Sequence, residues 1–273
     1  MKIFTVMLQT TAPLIPPDLL LRAYRAGIFP MSDSRDDPEI YWVEPRLRAI
    51  LPLDGFHCSR SLARTLRRGR FAVTCNTAFD AVIDSCAAPR AGADDSWISQ
   101  RIRDSYRALH ALGHAHSIET WARDESGERQ LVGGLYGVGF GRVFCGESMF
   151  SRQSDASKVA LAWLVAAMRR GNAALLDCQF STSHLASLGA VEIPQVEYLA
   201  LLEEALRYPV VSAPPSSSTG ASSAGASASS AAAGAVTVLD LPAGFAALLA
   251  DAADAGDSSS PGNFIAQSLT QTS

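Results

Sequence analysis

The sequence predicts an α+β fold built on one mostly antiparallel sheet. Strand-like segments follow one another directly between residues 116 and 149, and helical patterns stand before and after this run instead of alternating with it. Hydrophobic residues make up 48% of the 273-residue chain, which is enough for a sizeable core. A chain of this length is expected to form one or two domains.

Residues 1–44 are predicted to form a small N-terminal domain. It begins with a short helix that has Asp18 as its N-cap and Gly27 as its C-cap. Aspartate offers a side-chain acceptor to the first backbone N–H groups, and glycine tolerates the left-handed conformation that ends many helices. A strand is predicted over 40–43.

Residues 45–208 are predicted to form the larger domain, which contains the sheet. Apolar residues at helical spacing predict helices, and short runs rich in β-branched and aromatic residues predict strands. The predicted helices cover 59–70, 78–86, 98–112, 156–170 (amphipathic), 185–188 and 196–206. The predicted strands cover 71–74, 116–121, 131–138, 142–149 and 175–179 (buried).

The composition changes at residue 209, and residues 209–273 are predicted to be a disordered tail. This segment has no Lys or Arg, and its four aspartates account for the net charge of −4 of the whole chain. Residues 1–208 therefore carry 23 basic and 23 acidic side chains. A low-complexity Ala/Ser/Gly stretch over 211–234 buries too little apolar surface to offset its ordering entropy. A weak helix is possible over 236–249.

Cysteine usage and hydropathy indicate a cytoplasmic protein. The five cysteines are odd in number and show no CxxC spacing, which argues against a disulfide framework or a zinc ribbon. The apolar start over residues 1–8 stops at Gln9 without a cleavage site, so no signal peptide is expected. No run approaches the ~20 apolar residues of a membrane span, so no membrane partner is expected.

Two short segments place polar groups in apolar surroundings. Glu147 stands among small and apolar residues, and Asp177 and Gln179 end an apolar strand. Because Asp177 and Gln179 are two residues apart, they share one face of that strand. Carboxylates and an amide in such surroundings suit proton handling or the binding of a cation. The structural alternative is that each carboxylate caps a helix or pairs with an arginine.

The predicted helix over 59–70 contains arginines and no acid. Arginines at helical spacing lie on one of its faces, at positions Arg60, Arg64, Arg67 and Arg68. Such a face suggests contacts to phosphates, and a merely solvated face is an equal alternative.

Aromatic and apolar residues supply further candidates. Trp97 precedes a helix, where it can stack on a base if exposed or belong to the core if buried. An apolar pocket, or equally the core, accounts for Leu135, Phe144, Met149 and Leu164.

Several segments, in order along the chain, resemble the bacterial leucyl/phenylalanyl-tRNA–protein transferases between about residues 18 and 206. They are 23–30 (AYRAGIFP), 57–61 (HCSRS), 96–99 (SWIS), 112–119 (LGHAHSIE), 131–138 (LVGGLYGV), 145–152 (CGESMFSR), 177–179 (DCQ), 187–190 (SLGA) and 192–194 (EIP).

The resemblance implies an acetyltransferase-like (GNAT-like) fold for the larger domain, with no metal and no cofactor. It implies transfer of Leu, Phe and, less well, Met from aminoacyl-tRNA to the α-amine of proteins that begin with Arg or Lys. The product carries a degradation signal. Nothing in the sequence requires more than a monomer.

The resemblance also implies roles for the candidate residues. Gln179, oriented by Asp177, accepts a hydrogen bond from the attacking amine, and Glu147 binds the acceptor's amine or basic side chain. Trp97 stacks on the terminal adenosine, the four apolar residues line a pocket for the aminoacyl side chain, and the four arginines hold tRNA phosphates.

Departures from the family pattern leave two alternatives open. Residues 1–17 differ from the family's start, Met31 stands where the family has tryptophan, and Thr182 stands where it has asparagine. One alternative is a catalytically impaired tRNA-binding homologue. The other is an acetyl-CoA-dependent N-acyltransferase, which would need a glycine-rich loop that leads into a helix. The glycine run over 137–141 is predicted to lead into another strand instead.

Overall fold

The computed structural model describes residues 13–89, 95–207, 240–254 and 261–270. Its first part is helix α1 (Pro17–Arg25), followed by a two-stranded antiparallel sheet of β1 (Phe29–Met31) and β2 (Tyr41–Val43). Helix α1 begins with proline at its first position, where the missing N–H costs nothing. Pro16 therefore occupies the N-cap position predicted for Asp18, which lies in the first turn. The C-cap is Ala26, and Gly27, which was predicted as the C-cap, follows it with φ +81°.

The larger sheet and the helices around it come from the rest of the chain. The strands are β3 (Leu47–Ile50), β4 (Ala72–Cys75), β5 (Ala115–Arg123), β6 (Arg129–Phe140), β7 (Val143–Ser151), β8 (Leu175–Gln179) and β9 (Val191–Pro194). The helices are α2 (Arg60–Arg67), α3 (Phe79–Ala87), α4 (Gln100–Ala111), α5 (Ala156–Arg170), α6 (Ser183–Ala186), α7 (Gln195–Leu206), α8 (Leu241–Asp254) and α9 (Pro261–Thr270).

The prediction of an α+β fold with a mostly antiparallel sheet is confirmed. Within the described residues the larger sheet has seven strands in the order β4-β5-β6-β7-β8-β3-β9. Neighbouring strands are antiparallel except β7 and β8, which are parallel. Parallel strands cannot be joined by a hairpin, so α5 forms the crossover between them. The two short strands β3 and β9 extend the sheet beyond β8.

Helices cover both faces of this sheet. Alternate residues of one strand point to opposite faces, and they fall into two separate core clusters. Leu135 and Phe144 pack in the cluster that contains α2, α5, α8 and α9. Tyr136 and Cys145 pack in the cluster that contains α1, α3, α4 and α7. The sheet is therefore the middle layer of the molecule.

Two predictions for the C-terminal half are corrected. Helix α5 is buried on nearly all sides rather than amphipathic, because α8 and α9 pack against it. The prediction of a disordered tail over 209–273 is wrong for 241–254 and 261–270, which form α8 and α9 with apolar residues in the core. The low-complexity stretch over 211–234 lies outside the described residues. No helix in the described ranges is both long and apolar enough to cross a bilayer.

Candidate active site

The candidate site lies where the parallel strands β7 and β8 separate. Their pairing runs from Val143 opposite Leu175 to Cys145 opposite Asp177 and goes no further. Beyond that point Glu147 of β7 and Gln179 of β8 face each other, and the Gln179 Nε2 donates a 2.8 Å hydrogen bond to the Glu147 Oε1. The gap between two parallel strands thus presents a carboxylate and an amide together.

A β-bulge directs Glu147 toward this gap. On the other side of β7, Ser148 pairs with Tyr136 and Gly146 pairs with Gly137, which leaves Glu147 as the extra residue. Bulges change the direction of a side chain and bend the strand, and they recur beside active sites. The bulge also explains why residue 137 is glycine, because a Cβ there would lie 2.2 Å from the carbonyl oxygen of Cys145.

Buried hydrogen-bond donors surround the Glu147 carboxylate. The Tyr24 hydroxyl donates to its Oε1 at 2.7 Å, and the Tyr106 hydroxyl donates to its Oε2 at 3.0 Å. Burial raises the pKa of Glu147 to about 7, although the bonds from Tyr24, Gln179 and Tyr106 oppose this rise. Burial, followed by the charge of Glu147, raises the pKa of both tyrosines, so they remain protonated donors. Glu147 therefore changes its charge near neutral pH.

Asp177 lies behind the site and pairs with a residue that the sequence analysis did not select. The Arg48 Nε and Nη2 donate to its two carboxylate oxygens at 2.9 and 2.6 Å, and both side chains are almost fully buried. Tyr198 donates a further hydrogen bond to Asp177 at 3.0 Å. The pairing with arginine that the sequence left open as a structural alternative is therefore present at Asp177.

Asp177 also fixes the backbone of Gln179. The backbone N–H of Gln179 donates to the Asp177 Oδ1 at 2.8 Å, and Gln179 has φ +62°. The left-handed region is uncommon for residues other than glycine, and such strained positions cluster at functional sites. Asp177 was predicted to orient Gln179, and the hydrogen bond between them is made by the backbone N–H of Gln179 and not by its side chain.

A cavity of about 510 Å³ opens beside Glu147 and Gln179. Candidates that line it are Trp97, Leu135, Met149 and Leu164. Residues that line it without having been selected include Tyr136, Leu161, Leu176, Phe180 and Leu185. Met31 and Thr182, the two side chains that depart from the family pattern, line it as well. The cavity is mainly apolar, with its carboxylate and amide at one wall.

Phe144 and Asp177, which were selected for the pocket and for the chemistry, do not line this cavity. Phe144 is fully buried in the core cluster that also contains Leu135 and Leu164. Its ring lies against Gly137, where an added Cβ would approach it to 2.5 Å. Asp177 is likewise absent from the cavity wall, because its carboxylate is turned toward Arg48. Phe144 is therefore a residue of the core, which was the alternative to a place in the pocket.

The arginine-rich helix forms a second feature of the surface. Helix α2 is capped by the Ser59 hydroxyl, which accepts from the Leu62 N–H at 3.2 Å. The predicted arginines are exposed and line a common cavity of about 460 Å³ together with Cys58, Ala63 and Thr270; they are Arg60, Arg64, Arg67 and Arg68. The predicted single basic face is therefore present.

Residues that could hold a metal ion are not grouped in the described ranges, where no set of three or more His, Cys, Asp or Glu side chains comes together. The glycine run over 137–141 lies in β6 and in the turn to β7, so it does not lead into a helix. The loop that a coenzyme A pyrophosphate would need is not formed by this run.

An apolar cavity with a carboxylate and an amide in its wall has the features of an enzyme's substrate-binding site. The family model described as "Leucyl/phenylalanyl-tRNA protein transferase" matches residues 50–203, and the model of that family's N-terminal domain matches residues 15–46. The chain belongs to the leucyl/phenylalanyl-tRNA–protein transferase family.

Individual relatives agree with the family models. A leucyl/phenylalanyl-tRNA–protein transferase of Novosphingobium aromaticivorans is 66% identical over 263 residues, which cover 95% of this chain and 97% of the relative. One of Zymomonas mobilis is 59% identical over 193 residues, with 71% and 70% covered. One of Rhodopseudomonas palustris is 55% identical over 198 residues, with 72% and 86% covered. The Novosphingobium match is long enough to extend into the segment after residue 208.

Proposed function

We propose that this protein transfers Leu, Phe and, less well, Met from aminoacyl-tRNA to the α-amine of proteins that begin with Arg or Lys. The hydrogen-bonded pair of Glu147 and Gln179 at the wall of an apolar cavity carries this proposal. An aminoacyl ester is already activated, so the reaction needs no ATP, metal or coenzyme. The product protein, with its new N-terminal residue, serves as a degradation substrate.

Glu147 is proposed to receive the acceptor's α-ammonium group. A carboxylate with a pKa of about 7 can hold a cation by charge and can also accept a proton from an amine whose pKa is about 8. The neutral nitrogen then attacks the ester carbonyl. A C–N bond forms, the C–O bond to the ribose breaks, and the ribose oxygen takes up a proton.

Gln179 is proposed to position the attacking amine. Its Nε2 is engaged by Glu147, which leaves the Oε1 to accept a hydrogen bond from the amine. Asp177 contributes by holding the Gln179 backbone in its left-handed conformation, and Arg48 in turn holds Asp177. Correct placement of two reactants can supply much of the rate enhancement without a strong base.

The donor is proposed to occupy the apolar cavity and the arginine face. Leu135, Met149 and Leu164 contact its aminoacyl side chain, with Phe144 behind them, and Trp97 stacks on the terminal adenosine. The exposed arginines of α2 contact phosphates of the acceptor stem. A cavity of about 510 Å³ has the volume for an apolar side chain together with its ester.

The proposal includes the organisation of the molecule. Residues 1–44 form a small domain, residues 45–208 form an acetyltransferase-like domain, and the segment from 209 follows it. The crossover helix α5 between the separating parallel strands β7 and β8 supports the acetyltransferase-like assignment. We propose that the protein acts as a monomer in the cytoplasm, where aminoacyl-tRNA is used.

The test uses purified protein, radiolabelled leucyl-tRNA and two peptides that differ only in a first residue of Arg or Ala. Label is followed into peptide in the absence of ATP and coenzyme A. Transfer to the Arg peptide alone supports the proposal. Tight tRNA binding without transfer would point to the impaired homologue, and transfer that depends on acetyl-CoA would point to the other alternative.

A further inference from the structure

The C-terminal helices α8 and α9 are part of the core around α2 and α5. Apolar side chains of both helices, including Leu241, Phe245, Ile265 and Leu269, belong to the same cluster as Leu62 and Leu66 of α2. Polar contacts reinforce the packing on α5. The Arg169 Nη1 donates to the Ser268 carbonyl at 3.1 Å, and the Arg170 Nε pairs with Asp251 at 2.6 Å.

Glycines allow these helices to approach their neighbours closely. A Cβ at Gly262 of α9 would lie 2.2 Å from the carbonyl oxygen of Leu66 in α2. A Cβ at Gly244 of α8 would lie 2.8 Å from the carbonyl oxygen of Ala167 in α5. No side chain fits at either crossing without moving a backbone, so both contacts depend on glycine.

Helix α2 needs such support to keep its arginines in place. It has eight residues, whereas isolated helices shorter than ~12–15 residues are marginal in water. Arg60, Arg64 and Arg68 are spaced by four, and like charges at this spacing destabilise a helix by roughly 0.2–0.5 kcal/mol per pair. Packing of Leu62 and Leu66 therefore has to hold the helix, and α9 supplies part of that packing.

The charges of α8 and α9 fit a role in supporting α2 better than a role in blocking its arginines. Helix α9 contains no charged residue. Of the two acids of α8, Asp251 pairs with Arg170 on α5, and Asp254 does not line the cavity of the four arginines. The last residue of α9, Thr270, lines the cavity of the four arginines, so the negative end of the helix dipole is directed toward cations. Among the described residues, those that line this cavity include no acid.

We propose that α8 and α9 form a clasp that fixes the orientation of α2 and thereby strengthens binding of the phosphate backbone of the donor tRNA. The clasp rests on the proposed function, because it positions the arginines that the function assigns to tRNA. Gly262 is a positioning residue, and the clasp takes no part in the chemical step.

The test separates binding of the tRNA body from chemistry by using two donors. The variant is Gly262→Leu, which forces α9 away from Leu66, and its matched control is Gln267→Leu at an exposed position of the same helix. We expect Gly262→Leu to lower kcat/KM for leucyl-tRNA about tenfold, as loss of phosphate contacts would. Transfer from 3′-O-phenylalanyl-adenosine, which lacks the acceptor stem, stays at the wild-type rate.

A binding measurement keeps the clasp testable apart from the proposed function. Affinity for deacylated tRNA is measured over a series of salt concentrations. In Gly262→Leu the slope of log K against log salt becomes shallower by about 0.7–0.9 for each lost phosphate contact. Wild-type protein that uses neither donor would overturn the proposed function, and the salt slope would still test the clasp.

Two results would overturn the clasp. If Gly262→Leu lowers transfer from both donors equally, α8 and α9 stabilise the whole domain without a particular effect on α2. If leucyl-tRNA transfer and the salt slope both match wild type, α9 is not needed for the arginines. Arg64→Ala serves as the reference, since it removes one proposed phosphate contact directly and should change the two donors as Gly262→Leu does.

Discussion

Glu147 changes its charge near neutral pH because burial raises its pKa to about 7. If its carboxylate binds the acceptor's ammonium group, Glu147→Gln should lower kcat/KM for an Arg peptide about 100-fold, since loss of one partner of a buried charge pair costs ~2–5 kcal/mol. Wild-type activity should also fall as the pH drops through about 7. This fall is the acid limb of the pH–activity profile, and the profile of the variant should lack it.

The measurement is the rate of leucyl transfer on both sides of pH 7 at limiting peptide. Glu192→Gln is the matched control, because Glu192 is an exposed carboxylate on β9 outside the cavity. The acceptor amine titrates at about pH 8 in every variant, so its limb is common to all of them. Full activity in Glu147→Gln, or an unchanged limb near pH 7, would contradict the assigned role.

Tyr24, in the N-terminal part of the chain, is expected to influence the pH at which activity falls. Its hydroxyl donates to the Glu147 Oε1 at 2.7 Å and lowers the pKa of that carboxyl. Tyr24→Phe removes the bond, so the pKa of Glu147 rises and the acid limb moves to higher pH. The expected shift is about one to two units, since a hydrogen bond to a charged group contributes ~1.5–3 kcal/mol and one unit corresponds to ~1.36 kcal/mol.

Tyr198→Phe provides the comparison for Tyr24→Phe. Tyr198 is also buried, but its hydroxyl donates to Asp177. We expect its pH profile to retain the wild-type limb. A Tyr24→Phe profile that moves to lower pH, or that loses only maximal rate, would show that Tyr24 does not set the charge of Glu147.

At the scale of single residues, sequence reasoning identified side chains that stand out locally. Glu147 and Gln179 are polar among apolar neighbours, and both lie in the cavity wall. Tyr24 and Tyr106 carry no such local signal, because a tyrosine in an amphipathic helix is ordinary core. Their role depends on contacts that span 123 and 41 residues of the chain, and no periodicity can reveal such contacts.

At the scale of elements, the buried pair of Arg48 and Asp177 joins strand β3 to strand β8. Arg48→Met leaves an unpaired carboxylate in the core, so the free energy of unfolding should fall by about 3–5 kcal/mol. Arg46→Met, at an exposed neighbouring position, should change it by less than about 0.5 kcal/mol. Urea unfolding measures both.

A second substitution tests the cause of this loss. Asp177→Asn in the Arg48→Met background removes the buried charge but keeps an oxygen that can accept from the Gln179 N–H. We expect it to recover a large part of the lost stability. If the double variant is as unstable as Arg48→Met or less stable, the loss comes from packing around the guanidinium and not from the unpaired charge.

The elements divide clearly into those that a sequence reveals and those that it does not. Helix α5 was predicted with its observed bounds, because a long apolar pattern ends at Arg169-Arg170-Gly171. Strands β1, β3 and β9 have three or four residues each and show no alternation that could be recognised. Arg48 lies on β3, so missing that strand also hid the partner of Asp177. Strand β3 is held in the sheet by its pairing with β8 and β9, which lie far away along the chain.

At the scale of the whole molecule, residues on both sides of the predicted domain boundary near residue 44 contribute to the candidate active site. Tyr24 from α1 reaches Glu147 on β7, and the Arg48 Nη1 donates to the Gly27 carbonyl at 2.9 Å. The guanidinium of Arg48 also lies 4.8 Å from the ring centre of Phe29 on β1. The N-terminal part therefore completes the environment of Glu147 and contacts the buried Arg48.

The buried Glu147 carboxyl predicts that its contribution to the stability of the protein falls over the pH range in which transfer activity rises. The ordinary pKa of a glutamate carboxyl, which applies to Glu147 in the unfolded chain, is 4.5, whereas its pKa in the folded protein is about 7. Between these values the folded protein retains a proton that the unfolded chain has released, so stability falls as the pH rises from 4.5 to 7 and then levels off. The loss from this one group is about 3 kcal/mol, at ~1.36 kcal/mol per pKa unit.

Glu147→Gln has no proton to release at this position, so the comparison isolates the group. The difference in unfolding free energy between variant and wild type, measured by urea unfolding, should change by about 3 kcal/mol in favour of the variant from below pH 4.5 to above pH 7. Other titrating groups cancel in this difference because they are common to both proteins. A difference that stays constant over this range would mean that Glu147 is not held protonated by burial. A difference that grows as expected, together with lost transfer activity, would show that the fold gives up stability at neutral pH to keep a buried carboxylate at the cavity wall.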